Sequence, residues 1–498
     1  MIKTESNTIQ AFWVGLGALS SFSLSIISAI ILSRYFDKIE YGTYRQIVYV
    51  YNTLLVVFSA GLPRVFSYYL PRYSKEEGKD ITIKISLILF FTGFLFSLIL
   101  YSASDLIATL LHNPQLALGL KYFSPIPMLL LPTLGVEGIF ASYKQTKYTA
   151  VYTALSRLLM LIFIVLPVII FGSNYLFAVY GWIVASFITL LLAIYFKGIP
   201  FKNVKVKKTS LKMNEIFSYS IPLLFASLGG IAMKSADQFY ISRYFGTEVF
   251  AEFSNGFMEL PIVGMITFSI GSVLMPLFSK MVFDERNKDD IIILWQKALM
   301  KSAIIIYPLV LFFIFYSTEV IVILYTTDYI ASSMYFKIAL VLNFFNVIMF
   351  APILLSLGET KFYSRILISF AIIAWIGDFL VIKLFGSPVG LAIFSVAKLI
   401  LLALIAFGKT SRVIGVSFFK VFPVNKLFIV LLHSLLSILI VKYLVNLIVK
   451  DGTNLVVLGF LFICYILLLI LTSKYFRLDY LQFLEPIIKK FNFKRRVN

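Results

Sequence analysis

The chain from Ala11 to Leu471 is a succession of long apolar stretches broken by short polar interruptions. A helix needs about 20 apolar residues to cross a hydrocarbon layer roughly 30 Å thick. The stretches at 11–33, 46–69, 82–103, 117–141, 149–171, 176–196, 216–241, 251–278, 291–315, 329–357, 366–385, 388–407, 427–448 and 454–472 suit that length. They predict about 14 transmembrane helices. Apolar residues fall on every face of these segments, whereas a barrel strand would alternate apolar and polar residues over about 10 positions. The predicted class is therefore all-α and polytopic. The first stretch is too long for the core of a signal peptide and no small-residue cleavage site follows it, so it is expected to remain as a helix.

Composition agrees with that pattern. The chain is 60% hydrophobic and 14% charged, and its mean hydropathy is +0.94, far from the balance of a soluble domain. Lys and Arg collect in alternate loops, the asymmetry that sets orientation. The loop at 197–214 carries Lys197, Lys202, Lys205, Lys207, Lys208 and Lys212. Loops of the same parity hold Arg72, Lys75, Lys79, Lys144, Lys147, Lys280, Arg286, Lys288, Lys361, Arg365, Lys409, Arg412, Lys420 and Lys426. Opposite loops such as 172–174 and 385–388 hold almost none, the exception being Arg34, Lys38 and Arg45. Both termini are thus expected in the cytoplasm. The net charge of +20 then reads as loops and a tail lying against anionic headgroups rather than as a nucleic-acid surface. The lone Cys464 excludes a disulfide framework and a cysteine metal site.

The segment "LSRYF" at 32–36 returns as "ISRYF" at 241–245, and the offset of 209 also sets Tyr41 against Phe250, Gly42 against Ala251 and Tyr44 against Phe253. One inserted residue brings "FSAG" at 58–61 onto "FSIG" at 268–271. The repeat predicts two six-helix lobes related by an axis along the membrane normal, the architecture of alternating access. The expected organisation is an N-terminal lobe at 1–200, a basic cytoplasmic linker at 201–214 and a second lobe at 215–410. Two additional helices at 411–475 and a basic cytoplasmic tail at 476–498 complete it.

The phrases "ILSRYFDKIEYGTYRQ", "SAGLPRVFSYYLPRYSKEE" and "YSIPLLFASLGGIAMKSADQFYISRYFGTEVFAEFSNGFMELP" resemble the polysaccharide-repeat flippases that move O-antigen and capsule intermediates. Those proteins belong to the multidrug, oligosaccharidyl-lipid and polysaccharide exporter superfamily. The stretch from Asp237 to Gly246, "D-x-x-x-I-S-R-Y-F-G", carries the resemblance most strongly. It implies a flippase that turns undecaprenyl-pyrophosphate-linked oligosaccharide across the cytoplasmic (inner) membrane for surface polysaccharide, including lipopolysaccharide, biosynthesis. Association with other surface-polysaccharide assembly proteins is implied as well. The first helix lacks the Arg and Asp that lipid II flippases place there, which points away from a peptidoglycan precursor. The alternative is a cation-coupled drug exporter of the same superfamily.

Charges at membrane depth are costly and mark functional candidates. Arg64 and Lys301, and with them Arg157, are candidates for attracting a pyrophosphate headgroup, a compact polyanion suited to Arg and Lys in a low-dielectric cavity. Glu137 with Arg157, and Asp378 with Lys398, fall at matching depths and read equally as buried ion pairs or as substrate contacts. Lys234 and Asp237, three apart, share a helix face. Asp237 and Asp378 offer carboxylates for proton or sodium coupling. The proline cluster "SPIPMLLLP" in the fourth helix makes it the best candidate for a bent element. His112 and His433 have no triad or metal set around them, and no phosphate-binding glycine loop is present, which argues against a lipid-linked sugar polymerase or an ATPase. No cofactor or metal is expected.

Overall fold

The computed structural model describes residues 7–284, 287–448 and 454–480. Arg286 and the tail beyond 480 lie outside them. Among the described residues there is no strand, and 14 helical segments are long and apolar enough to cross a membrane. The chain is a multi-pass membrane protein. Its spans, numbered 1–14, are Gly15–Tyr35, Lys38–Arg72, Lys75–Ser102, Pro114–Ser142, Thr146–Phe171, Tyr175–Phe201, Met213–Gly256, Pro261–Phe283, Lys288–Phe315, Ser332–Ser356, Thr360–Phe385, Pro388–Ile414, Val424–Val445 and Leu455–Thr472.

Short polar residues set where several of these helices begin, by accepting from otherwise unpaired backbone N–H groups. Asp37 accepts from Glu40 N at 2.8 Å to open span 2. Ser74 and Glu77 form a reciprocal capping box at span 3, and Asn174, Ser387 and Asn454 cap spans 6, 12 and 14. The Asp37 cap explains why span 2 begins at Lys38 although the apolar stretch begins at 46. Span 7 also exceeds its apolar stretch. Its helix continues from Met213 to Gly256 through Gly246, whose φ of 83° and ψ of −179° interrupt the helix without ending the run. Span 8 therefore starts at Pro261 rather than near 251.

Besides span 7, kinked at Gly246, three spans are broken. Span 2 is helical over Lys38–Ser59, turns at Ala60 (φ 49°) and Gly61 (φ 68°), and resumes over Pro63–Tyr69. Span 4 is bent, as its proline cluster predicts. It runs through Pro114–Phe123, Pro125–Leu130 and Leu131–Thr133, then turns at Gly135 (φ 87°) into Val136–Ser142. Span 10 breaks between Ser332–Asn346 and Phe350–Ser356 at Met349 (φ 42°). The two copies of the repeat differ here. "FSAG" holds the turn in span 2, whereas Gly271 of "FSIG" sits inside the unbroken helix Pro261–Phe283.

The chain divides into two compact units, Met1–Ser254 and Asn255–Asn498. In unit 1, span 7 packs along span 2: Gln46 Nε2 donates to Ser242 Oγ at 2.7 Å, Tyr49 Oη donates to Ser235 O at 3.1 Å, and Gly42 lies flat against Thr247 where a Cβ would collide with its backbone. The basic segment before span 7 is tied down. Thr209 N donates to Asp80 Oδ2 at 2.9 Å, Lys79 Nζ to Val204 O at 2.8 Å, and Lys207 pairs with Glu77 at 3.3 Å.

In unit 2, the Tyr465 hydroxyl of span 14 lies 3.2 Å from both Pro308 O and Ser434 O, with one proton to share between the two carbonyls, tying spans 9, 13 and 14 together. Trp295 Nε1 donates to Ile348 O at 3.0 Å, at the break of span 10. His433 bridges Thr472 and Tyr480 at 2.8 and 2.9 Å, which folds the start of the tail back onto span 13.

Candidate functional site

Unit 1 contains a cavity of about 890 Å³, within the range of small-molecule sites. Span 2 supplies one wall through Tyr41, Tyr44, Arg45, Val48, Tyr51, Asn52 and Leu55, the three- and four-residue steps of a single helix face. The breaks build the rest of that end. Beyond the turn at Ala60 and Gly61, the short helix Pro63–Tyr69 presents Arg64 and Ser67, and beyond Gly135 the helix Val136–Ser142 presents Glu137 and Ala141. These two short helices lie against each other: Ser142 Oγ reaches Phe66 O at 3.4 Å, and a Cβ on Gly135 would overlap the Phe66 ring. Span 5 adds Tyr152, Ser156 and Arg157, and span 6 adds Trp182 and Thr189.

Among the described residues, the charged side chains on this cavity are Arg45, Arg64 and Arg157 against Glu137. Arg64, Glu137 and Arg157 are exposed to it. Among the described residues none of these three has an ion-pair partner within 4.0 Å, so of the two readings of Glu137 with Arg157 the ion pair is not formed. Three guanidiniums facing one carboxylate in a space walled by apolar helix favour anions, because the attraction is far less screened than in water.

The remaining wall is neutral, polar and aromatic. The Asn52 amide and the Ser67 hydroxyl face the cavity without a protein hydrogen bond among the described residues. Trp182 Nε1 and Thr189 Oγ1 are buried without a partner. Trp182 stands edge-on to Tyr51 and Phe123, with ring centroids 6.2 and 5.0 Å away. Of these, the exposed Asn52 and Ser67 groups are ones a polar ligand can satisfy.

The other candidates lie elsewhere. Asp378 and Lys398 form an ion pair between spans 11 and 12 in unit 2, at 3.3 Å with side chains 0% and 2% exposed. Lys301 is exposed on span 9, also in unit 2, with no ion pair within 4.0 Å among the described residues. On span 7, Lys234 is exposed and Asp237 buried, so their three-residue spacing does not give them the same surroundings.

Two residues assigned to loops by hydropathy belong to this region. Arg45 is on the cavity face of span 2 and donates from Nη2 to Ser254 O at 3.3 Å. The signal for it was the stripe of tyrosines at 41, 44 and 51 that continues through Arg45 and Asn52. Lys197 is buried inside unit 1 instead of facing headgroups. Its Nζ donates to Pro132 O at 2.7 Å and Ser86 Oγ at 3.1 Å, and it lies 5.0 Å from the Phe66 ring centroid. Lys197 follows Thr189 and Ala193, both buried, at four-residue steps, which places it on the inward face of span 6.

Residues 9–282 match the profile of a family described as polysaccharide biosynthesis protein. An uncharacterized membrane protein of Methanocaldococcus jannaschii is 23% identical over 415 residues, 77% of this chain and 80% of that protein. The solved structure of the lipid II flippase MurJ in an inward closed conformation superposes with a TM-score of 0.72 at 16% identity, covering 95% of this chain and 99% of its own. An inward-facing multidrug resistance MATE family transporter of the MOP superfamily gives 0.63 at 12% identity, covering 80% and 98%. A MOP superfamily transporter from Pyrococcus furiosus gives 0.58 at 15% identity, covering 81% and 94%. At these identities the likeness is one of fold.

Proposed function

The chain belongs to the polysaccharide biosynthesis protein family, and from that premise and the charge on its cavity we propose that it is a flippase for lipid-linked oligosaccharide. Its substrate is an undecaprenyl-pyrophosphate-linked repeat unit, carried across the cytoplasmic membrane by alternating access for surface polysaccharide assembly. The observation that carries this reading is the sign of the unit 1 cavity, with Arg45, Arg64 and Arg157 against Glu137. A pyrophosphate must leave the water of the membrane surface, and guanidiniums replace that hydration with fixed, charge-assisted hydrogen bonds. The unpartnered Asn52 amide and Ser67 hydroxyl on the same walls suit the hydroxyls of a sugar, which need both donors and acceptors.

The MATE likeness keeps a drug exporter as the second reading. An organic cation entering this cavity meets three arginines, and of the aromatic and carboxylate lining that favours cations the aromatic part is present while the carboxylate part is Glu137 among the described residues. Titration of the purified protein with inorganic pyrophosphate and, separately, with a fluorescent organic cation tests the choice. Saturable pyrophosphate binding that weakens in Arg64→Ala and Arg157→Ala supports the flippase. Cation binding that is unaffected by pyrophosphate supports the exporter.

A further inference from the structure

Lys197 is a cation buried where no carboxylate lies within 4.0 Å among the described residues. Burying an ammonium is expensive unless its donors are used. Here each has a target: Pro132 O at 2.7 Å, Ser86 Oγ at 3.1 Å and the face of Phe66 at 5.0 Å. Those three groups are not scattered. Pro132 is in the break of span 4, three residues before Gly135, where the helix ladder is interrupted and a carbonyl is left for an outside donor. Phe66 lies in the short helix after the break of span 2, pressed against Gly135. Ser86 is on the unbroken span 3, which backs both.

The ammonium therefore joins the short helix that carries Arg64 to the segment just ahead of the Gly135 turn, which leads into the helix carrying Glu137, and anchors both to a straight neighbour. Unit 2 offers an internal comparison. Its broken span 10 has the same need, and there the neutral indole of Trp295 donates to Ile348 O at 3.0 Å. A neutral donor is thus sufficient to hold a break of this kind. The choice of a cation in unit 1 calls for a reason beyond holding the backbone, and the breaks it holds border the arginine-lined cavity.

We propose that Lys197 is a positioning residue of the headgroup site: it clasps the breaks of spans 2 and 4 and so sets the placement of Arg64 and Glu137 on the cavity. It acts through the Pro132 carbonyl and the Phe66 ring rather than by touching the substrate. The part of this that concerns a headgroup rests on the flippase reading; the clasp itself does not.

The test uses the full-length protein in detergent with Cys464→Ser and a reporter Ser67→Cys, a position exposed on the same short helix as Arg64. Lys197→Met keeps the length of the stem and removes the donors; Lys197→Arg keeps donors and charge. Three quantities are read: melting temperature and the affinity for inorganic pyrophosphate in protein that keeps Ser67, and, in the reporter background, the rate at which a neutral maleimide labels Cys at 67. The Met variant is expected to change the labelling rate and to weaken pyrophosphate binding about tenfold, the scale of one lost charge-assisted hydrogen bond, with the Arg variant restoring both in part. A Met variant that labels and binds like the parent overturns the proposal, and so does one whose melting temperature falls while folded protein still binds normally. If Arg64→Ala leaves pyrophosphate binding unchanged, the headgroup reading fails, and the labelling rate still reports on the clasp.

Discussion

Arg45 donates from its guanidinium to the backbone carbonyl of Ser254 at 3.3 Å, and the two residues stand 209 positions apart, the offset that sets Ser33 against Ser242 in the repeat. Two positions equivalent by sequence thus meet directly within unit 1, and the one that carries the charge also lines the cavity. Arg45→Lys keeps the charge and loses the planar fork, whereas Arg45→Ala loses both. Pyrophosphate affinity is expected to fall more in the Ala variant, by about threefold to tenfold, and to become less sensitive to added salt, since one fewer cation is engaged. Titrations at two ionic strengths check this; equal affinity in all three proteins would remove Arg45 from the site.

Asp378 and Lys398 are paired and buried in unit 2. Neutralising one member alone, as Asp378→Asn or Lys398→Met, leaves the other charge buried, a loss of about 3–5 kcal/mol. The double variant is expected to regain most of that in a thermal melt. The same proteins address ion coupling. Transport that keeps its proton or sodium dependence in both the double variant and Asp237→Asn excludes coupling through these carboxylates.

Gly135 takes a φ of 87° and abuts the Phe66 ring. Gly135→Ala meets both obstacles, a conformation that L side chains rarely adopt and a ring with no room, for a cost of about 1–3 kcal/mol. Phe66→Leu in the same chain is expected to recover part of the lost melting temperature by opening that space. An Ala variant as stable as the parent would contradict the close approach of the two broken spans.

How far the sequence could carry this picture is visible at particular residues. Fourteen apolar stretches foretold 14 spans, because length and hydropathy are local properties. The depth argument that put Arg157 level with Glu137 agrees with their lying on one cavity. It says nothing of which face of a helix a charge occupies, so it could not tell that Arg64, Glu137 and Arg157 line one cavity of unit 1. Hydropathy places Arg45 and Lys197 in loops for one reason: each sits at the end of an apolar stretch, where hydropathy alone cannot separate a loop from a capped helix end. The Asp37 cap before Lys38 and the small inward face of span 6 were the local marks that decide them.

The neutral wall yields a separate expectation. Asn52→Leu removes an amide that faces the cavity without a partner and leaves every charge in place. Binding of a sugar-bearing pyrophosphate lipid is expected to weaken by about 1–2 kcal/mol, the scale of a hydrogen bond lost to a ligand, while inorganic pyrophosphate binds as before. Loss of both affinities together would mean that Asn52 shapes the cavity and does not read the sugar.

The most direct measurement is movement itself. Purified protein in sealed vesicles of defined orientation is given fluorescent undecaprenyl-pyrophosphate oligosaccharide in one leaflet, and its appearance in the other is followed against a parallel set offered a fluorescent organic cation. The flippase reading predicts lipid crossing that is lost in Arg64→Ala and Arg157→Ala, with the cation left outside. A stationary lipid beside an accumulating cation would contradict it and turn the arginine-lined cavity over to another role.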